Sequence, residues 1–197
     1  MKKIVLASKN LDKVKEIRLV LKNLPLEILS LTDFDNLPDA VEDGATFEDN
    51  ALIKAKFFYE QTGLACLADD SGLEVDALNG LPGVHSARFA GYHADDVTNN
   101  QKLLDELKKI GVEESTAAYR CALAFVDIDG TELLTEGKIS GKIKTVAKGN
   151  GGFGYDPYFY IDDKRTMAQL PVNEKNKISH RGAALREMIL KIKEKFS

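Results

Sequence analysis

Ala65-Cys66-Leu67-Ala68-Asp69-Asp70-Ser71-Gly72-Leu73 is the stretch on which the reading of this chain turns. A short apolar run of strand type leads into two adjacent carboxylates, a hydroxyl and a glycine. Neighbouring carboxylates repel each other unless a cation or a proton separates them, and hard oxygen ligands suit Mg²⁺. Ser71 and Gly72 are predicted to close a tight turn after the strand, with backbone N–H groups available to a phosphate. A plain polar turn between two strands is the alternative, because Asp, Ser and Gly are ordinary turn residues.

Upstream, Lys3 to Ala7 is a short apolar run that predicts a buried strand. The polar loop Ser8-Lys9-Asn10-Leu11-Asp12-Lys13 follows. From Val14 a helix is predicted, with Val14, Ile17, Leu21 and Leu24 at helical spacing. Such a loop aims helix N-terminal amides outward, and Lys13 opposes the helix dipole there, so a bound anion would account for it. Leu26 to Leu31 reads as a second strand, and Thr32 to Gly44 as an acidic loop. Thr46-Phe47-Glu48-Asp49 resembles a capping box. Its helix runs to about Thr62, buries Phe47, Ala51, Ala55 and Phe58, and stops at Gly63.

Downstream, Leu73 to Leu78 reads as a half-buried strand, Asn79-Gly80 as a turn, and Leu81 to Arg88 as a loop. Val97 to Ile110 is a predicted helix with Leu103, Leu107 and Ile110 inward. Thr116 to Val126 is a strand, with Tyr119, Cys121, Leu123 and Phe125 on one face. Thr131 to Thr135 returns as a hairpin, Lys138 to Val146 is strand, and Pro157 to Ile161 is a short strand. A last helix is capped by Ser179 and buries Leu185, Met188, Ile189, Ile192 and Phe196.

With 197 residues, 44% of them hydrophobic and 29% charged, the chain reads as one globular domain spanning residues 1–197. The net charge of −4 disfavours a nucleic-acid partner. Cys66 and Cys121 sit in apolar runs and read as buried cytosolic thiols, not a disulfide framework. No apolar run reaches membrane-spanning length, and the expected location is the cytoplasm.

Three motifs compete for the chemistry. Asp127-Ile128-Asp129-Gly130-Thr131 matches the D-x-D-G-T pattern of haloacid-dehalogenase-type phosphatases, but it stands past mid-chain and precedes a strand. A hairpin turn is the reading preferred for it. Gly149-Asn150-Gly151-Gly152-Phe153-Gly154 is formally G-x-G-x-x-G, yet Pro157 opposes the helix that a dinucleotide fingerprint needs. Its glycines allow close approach to a flat ligand; Phe153 and Tyr155 could stack on a base, and Asp156 could accept hydrogen bonds. Lys175-Asn176-Lys177-Ile178-Ser179-His180-Arg181-Gly182 gathers cations at a helix start, a setting for polyphosphate or base contacts. Arg181 leads that group because its fork suits bidentate recognition.

Taken in order, Ser8 to Lys13, Asp69 to Leu73, Leu81-Pro82-Gly83-Val84, Ser86-Ala87-Arg88, Gly151 to Pro157 and Ile178 to Gly182 resemble the inosine triphosphate pyrophosphatase (Ham1-like) family. The resemblance implies a mixed α/β fold with a long curved central sheet and flanking helices, forming two lobes around a cleft. It implies Mg²⁺-dependent hydrolysis of XTP, ITP and dITP to the monophosphate and pyrophosphate, by a homodimer. Ser8, Lys9, Asn10, Leu11, Asp12 and Lys13 would hold the phosphates. Glu42, placed before Gly44-Ala45-Thr46-Phe47, would be a metal ligand. Asp70 would bind metal and act as general base, and Ser71 would contact substrate. Phe153, Gly154, Tyr155 and Asp156 would line the base pocket. Lys175, His180 and Arg181 would contact substrate, the last two at the 6-oxo group. A nucleotide-binding module without turnover is the alternative from another class.

Overall fold

The computed structural model describes residues 2–195. Six strands form one sheet in the order β2-β1-β3-β4-β5-β6. They are β1 (Lys2–Leu6), β2 (Leu26–Ser30), β3 (Ala65–Val75), β4 (Glu114–Val126), β5 (Glu132–Lys144) and β6 (Phe159–Tyr160). The helices are α1 (Leu11–Leu21), α2 (Phe47–Thr62), α3 (Asp96–Lys109), α4 (Val172–Ile178) and α5 (His180–Lys195). This is the mixed α/β class expected from the sequence. Among the described residues, no helix is long and apolar enough to cross a membrane.

The chain divides into two units, and β3, β4 and β5 each contribute residues to both. Unit 1 comprises residues 2–70, 121–137 and 181–195 of the described chain. Here β1 pairs in parallel with β2 (Ile4 opposite Ile28) and with β3 (Ile4 opposite Ala65). Val14, Ile17 and Leu21 of α1 and Leu185, Met188 and Ile192 of α5 pack with Leu67, Leu123 and Phe125. Complete burial of each such side chain contributes about 1.5–3 kcal/mol. Ile189 packs against this core from the side, and Phe196 lies outside the described residues. Helix α2 keeps its expected bounds: the Thr46 hydroxyl accepts from the Asp49 amide, and Gly63 ends the helix at φ 66°.

Unit 2 comprises residues 71–120 and 138–180. Its core gathers Leu73 and Val75 of β3, Leu103 and Leu107 of α3, and Tyr119, Ile143, Tyr155 and Phe159. Strand β6 pairs antiparallel with β5, Phe159 standing opposite Ile143.

Several sequence expectations change. The turn at Ser71-Gly72 does not exist, since β3 runs without interruption from Ala65 to Val75. Nine of its eleven residues are buried, and a buried segment keeps its backbone polar groups paired by continuing as strand. The phosphate-binding turn amides expected there are therefore absent. Helix α1 starts at Leu11, not Val14, because the Asn10 side chain caps it by accepting from the amides of Asp12 and Lys13. Strand β5 is one strand where two were expected, and it stops before Val146, which is exposed. Ile110 is also exposed, as it follows the last turn of α3. Helix α4 was not anticipated; Ser179, in extended conformation, stands between it and α5.

Candidate active site

Adjacent residues of a strand point to opposite faces, and that rule separates the two carboxylates of β3. In unit 1, Asp69 lies on the face that also carries Leu67. Its Oδ1 accepts from Lys13 Nζ at 2.5 Å, and its Oδ2 accepts from Arg181 Nε at 2.9 Å and from Cys121 Sγ at 3.1 Å. Arg181 is 1% exposed and donates from its NH1 nitrogen to Glu16 Oε2 at 2.5 Å. Burial alone would raise the Asp69 carboxyl; Arg181 and Lys13 override it and hold the group well below the usual carboxylate range. Asp69 is therefore an ionised anchor between α1 and α5.

Asp70 meets different neighbours. Burial pushes its carboxyl up; Lys54 and Lys13 pull it down, while Glu42 and Asp69 add to the rise. Lys54, on α2, bridges to Glu42 Oε2 at 2.7 Å and donates to the backbone carbonyl of Asp69 at 3.1 Å. The loop behind Glu42 is held where the Gly44 amide donates to Asn50 Oδ1 at 2.8 Å. A Cβ on Gly44 would come within 2.6 Å of the Asp49 side chain, so this approach requires glycine. Glu42 and Asp70 are two hard oxygen donors whose charges act on one another. Mg²⁺ is commonly held by one or two carboxylates, with water and substrate phosphates completing its shell, and these two residues fit that pattern. Among the described residues, no group of three or more His, Cys, Asp and Glu converges to form a protein-only cage.

In unit 2 the glycine-rich loop ends in a buried polar cluster. Asp156 Oδ2 accepts from Lys175 Nζ at 2.6 Å and from the Phe153 amide at 3.1 Å; Oδ1 accepts from the Tyr119 hydroxyl at 3.2 Å. The Lys175 ammonium also lies 4.5 Å from the centre of the Phe153 ring. Tyr119 stacks on His180, with ring centres 4.8 Å apart and planes at 16°. At Gly152, φ is +73° and a Cβ would sit 2.1 Å from Asp156 Oδ2, so only glycine lets the loop close over this carboxylate. Phe153 is half-buried, whereas Tyr155 is buried and donates from its hydroxyl to the Ser86 carbonyl at 2.7 Å. Of the two aromatics expected to stack on a base, Tyr155 is a core residue and Phe153 retains an open surface.

The other expected site residues fall as follows. Ser8 Oγ accepts from the Asn10 amide at 3.2 Å, and Asn10 caps α1. Lys9 makes an exposed bridge to Asp39, and Leu11 and Asp12 are exposed on the first turn of α1. Lys13, expected to answer a bound anion, has Asp69 as its counter-ion. Ser71 is a half-buried residue of unit 2 within β3. Gly154 sits at φ 62°. The phosphatase-like motif is a hairpin: the Gly130 amide donates to the Asp127 carbonyl, and the Asp127 carboxylate is bridged by Lys2 and Lys195. Sequence reasoning missed Lys54, Glu16 and Tyr119. Glu16 lies beside the apolar positions of α1, so its burial was foreseeable; Lys54 and Tyr119 carried no local signal.

A sequence model of the Ham1 family matches residues 4–191. A dITP/XTP pyrophosphatase of Geobacter sulfurreducens is 50% identical over 186 residues, covering 94% of this chain and 94% of that one. One of Bacillus anthracis is 46% identical over 199 residues, covering 100% of this chain and 98% of its own. Among solved structures, a HAM1 protein from Coxiella burnetii superposes with a TM-score of 0.87 at 42% identity, over 98% of this chain and 100% of that chain. Fold and carboxylate chemistry thus place the chain in a class of mixed α/β proteins. Within that class, it belongs to the Ham1 family.

Proposed function

We propose that this chain hydrolyses the non-standard purine nucleoside triphosphates XTP, ITP and dITP to the monophosphate and pyrophosphate. Relatives named dITP/XTP pyrophosphatase, 46–50% identical over nearly the whole chain, support the substrate class. The observation that carries the chemistry is the buried Asp70 carboxyl, raised above its ordinary range and facing Glu42 and Lys54. A carboxylate with a raised pKa is a better proton acceptor, so Asp70 takes the proton of the attacking water. Glu42 and Asp70 hold Mg²⁺, which stabilises negative charge on the triphosphate when bound. Lys54 adds positive charge beside the same carboxylates, and the loop Ser8 to Lys13 holds the phosphates.

Base recognition belongs to Phe153 and the Asp156–Lys175 pair, with His180 and Arg181 at the 6-oxo group. Donors arranged for a 6-oxygen would be left unpaired by a 6-amino group, a mismatch worth orders of magnitude in specificity. Arg181 already gives its fork to Asp69 and Glu16, so contact with substrate requires exchange of one of those bonds. Ser71 completes the substrate contacts. The working form is a cytoplasmic homodimer, a reading supported by the family resemblance and, for the compartment, by two buried thiols without a disulfide.

The test is product analysis with ITP and ATP, each with Mg²⁺ and with chelator. IMP and pyrophosphate from ITP, little product from ATP and none under chelation is the expected result. Orthophosphate with IDP would overturn the reaction, and binding of ITP without turnover would make the chain a nucleotide-binding module.

A further inference from the structure

Both polar backbone atoms of Gly154 are held by side chains of α3. The Gly154 amide donates to Asp96 Oδ2 at 2.6 Å, and the Gly154 carbonyl accepts from Asn100 Nδ2 at 2.9 Å. Asp96 and Asn100 are one helical turn apart, so they present to one side of the helix. Gly154 stands between Phe153, which packs under the Lys175 ammonium, and Tyr155-Asp156, which are locked by Ser86, Tyr119 and Lys175. Rotation of the Gly154 peptide would swing the Phe153 ring relative to Asp156. At φ 62° this residue has the widest conformational choice in the loop, so the two bonds from α3 fall where restraint has most effect.

The cost of keeping Asn100 supports a role in position. It is 9% exposed, and its Oδ1 has no hydrogen-bond partner among the described residues. A buried acceptor left unmade is destabilising, and an apolar residue of similar size would avoid that cost. What an apolar residue could not supply is the Nδ2 donor to Gly154. The adjacent Asn99 is engaged elsewhere. Its Oδ1 accepts from the Ala90 amide at 2.8 Å and its Nδ2 donates to the Ala87 carbonyl at 3.1 Å. Asn99 therefore holds another loop with an equal number of bonds.

We propose that Asn100 and Asp96 are positioning residues for base selectivity: they fix the Gly154 peptide, and through it the angle of Phe153 to the Asp156–Lys175 pair. The proposal rests on the pyrophosphatase reading. They act through the loop and touch no reacting atom, so their loss relaxes the choice of base more than it slows turnover.

The experiment measures kcat and KM for ITP and ATP with wild-type protein, Asn100→Ala, Asp96→Ala, Asp96→Asn and Asn99→Ala. The ratio of the two kcat/KM values does not depend on the fraction of folded enzyme, so loss of stability alone leaves it unchanged. Asn100→Ala and Asp96→Ala are expected to raise the KM for ITP and to narrow the ITP-to-ATP ratio by about tenfold, roughly the weight of one positioning hydrogen bond, with kcat for ITP changed less than about threefold. Asp96→Asn keeps an acceptor for the Gly154 amide and should restore most of the ratio. Asn99→Ala should lower the thermal midpoint and leave the ratio within about twofold, since its bonds go elsewhere. An unchanged ratio in Asn100→Ala and Asp96→Ala, with an active wild type, overturns the positioning role alone. A wild type that releases no pyrophosphate from ITP overturns the pyrophosphatase reading and this proposal with it.

Discussion

Asp69 and Asp70 are neighbours in sequence and opposites in environment. Asp69 faces Lys13 and Arg181, two cations that keep it ionised and fully occupied. Asp70 faces Glu42 and Lys54, where burial and a second carboxylate make its charge expensive. One peptide step along a strand reverses the direction of the side chain, and that reversal divides the work: one carboxylate ties helices to the sheet, the other is left for chemistry. Adjacent acidic residues on a strand are therefore not a paired-carboxylate site. The partner of Asp70 in holding a cation is Glu42, far away in sequence.

The sharpest way to break this comparison is to neutralise each carboxylate in turn. Asp70→Asn removes the proton acceptor, and kcat for ITP should fall by about a thousandfold, within the range typical of general bases. Its thermal midpoint should hold or rise, since a buried charge with unfavourable neighbours is gone. Near wild-type turnover with Mg²⁺ would end the assignment of Asp70. Asp69→Asn should do the converse to stability. Removing one partner from a buried ionic network leaves Arg181 and Lys13 undercompensated and costs about 3–5 kcal/mol, measurable by urea unfolding. A loss below about 1 kcal/mol would show that Glu16 alone neutralises Arg181.

These assignments were unevenly legible in the sequence. Helix α2 could be read complete, because Thr46 and Gly63 are local signals whose effect does not depend on distant partners. The division between Asp69 and Asp70 was within reach of the two-residue strand period, but the expected turn at Ser71-Gly72 hid it. Whether Ser-Gly bends or runs on as strand depends on pairing with strands distant in sequence, and no local residue encodes that. Lys54 was invisible for a related reason: its partners are a loop carboxylate and a backbone carbonyl, neither on its own helix. The expected anion beside Lys13 shows the opposite error. The electrostatic need was correctly identified, and the chain meets it internally with Asp69. The motifs around Phe153 and His180 could be located by family resemblance, while the Tyr119 ring stacked on His180 could not.

A smaller effect sharpens the contrast between acidic motifs. Asp127 resembles a phosphatase nucleophile in sequence, yet its carboxylate is bridged by Lys2 and Lys195 and accepts from the Ile128 amide. Asp127→Asn should cost about 1–3 kcal/mol, typical of weakening a charged hydrogen bond, and leave ITP turnover per folded molecule within about twofold. Loss of turnover at unchanged stability would return the motif to the chemistry.

The smallest expected effect concerns Asn10, which two readings claim at once. As the cap of α1, its Oδ1 accepts from the amides of Asp12 and Lys13 at 3.0 and 3.1 Å. As a phosphate ligand, its amide nitrogen would donate to the triphosphate. Asn10→Ala removes both functions and should cost about 1 kcal/mol through the cap alone. Asn10→Asp separates them. Aspartate caps a helix as well as asparagine does and places negative charge at the favourable end of its dipole, so stability should return to the wild-type value. The same charge repels a triphosphate, so the KM for ITP should rise severalfold above that of Asn10→Ala. If both variants bind ITP equally, the side chain at position 10 serves the helix alone, and the phosphate contacts of this loop fall to its backbone and to Lys13.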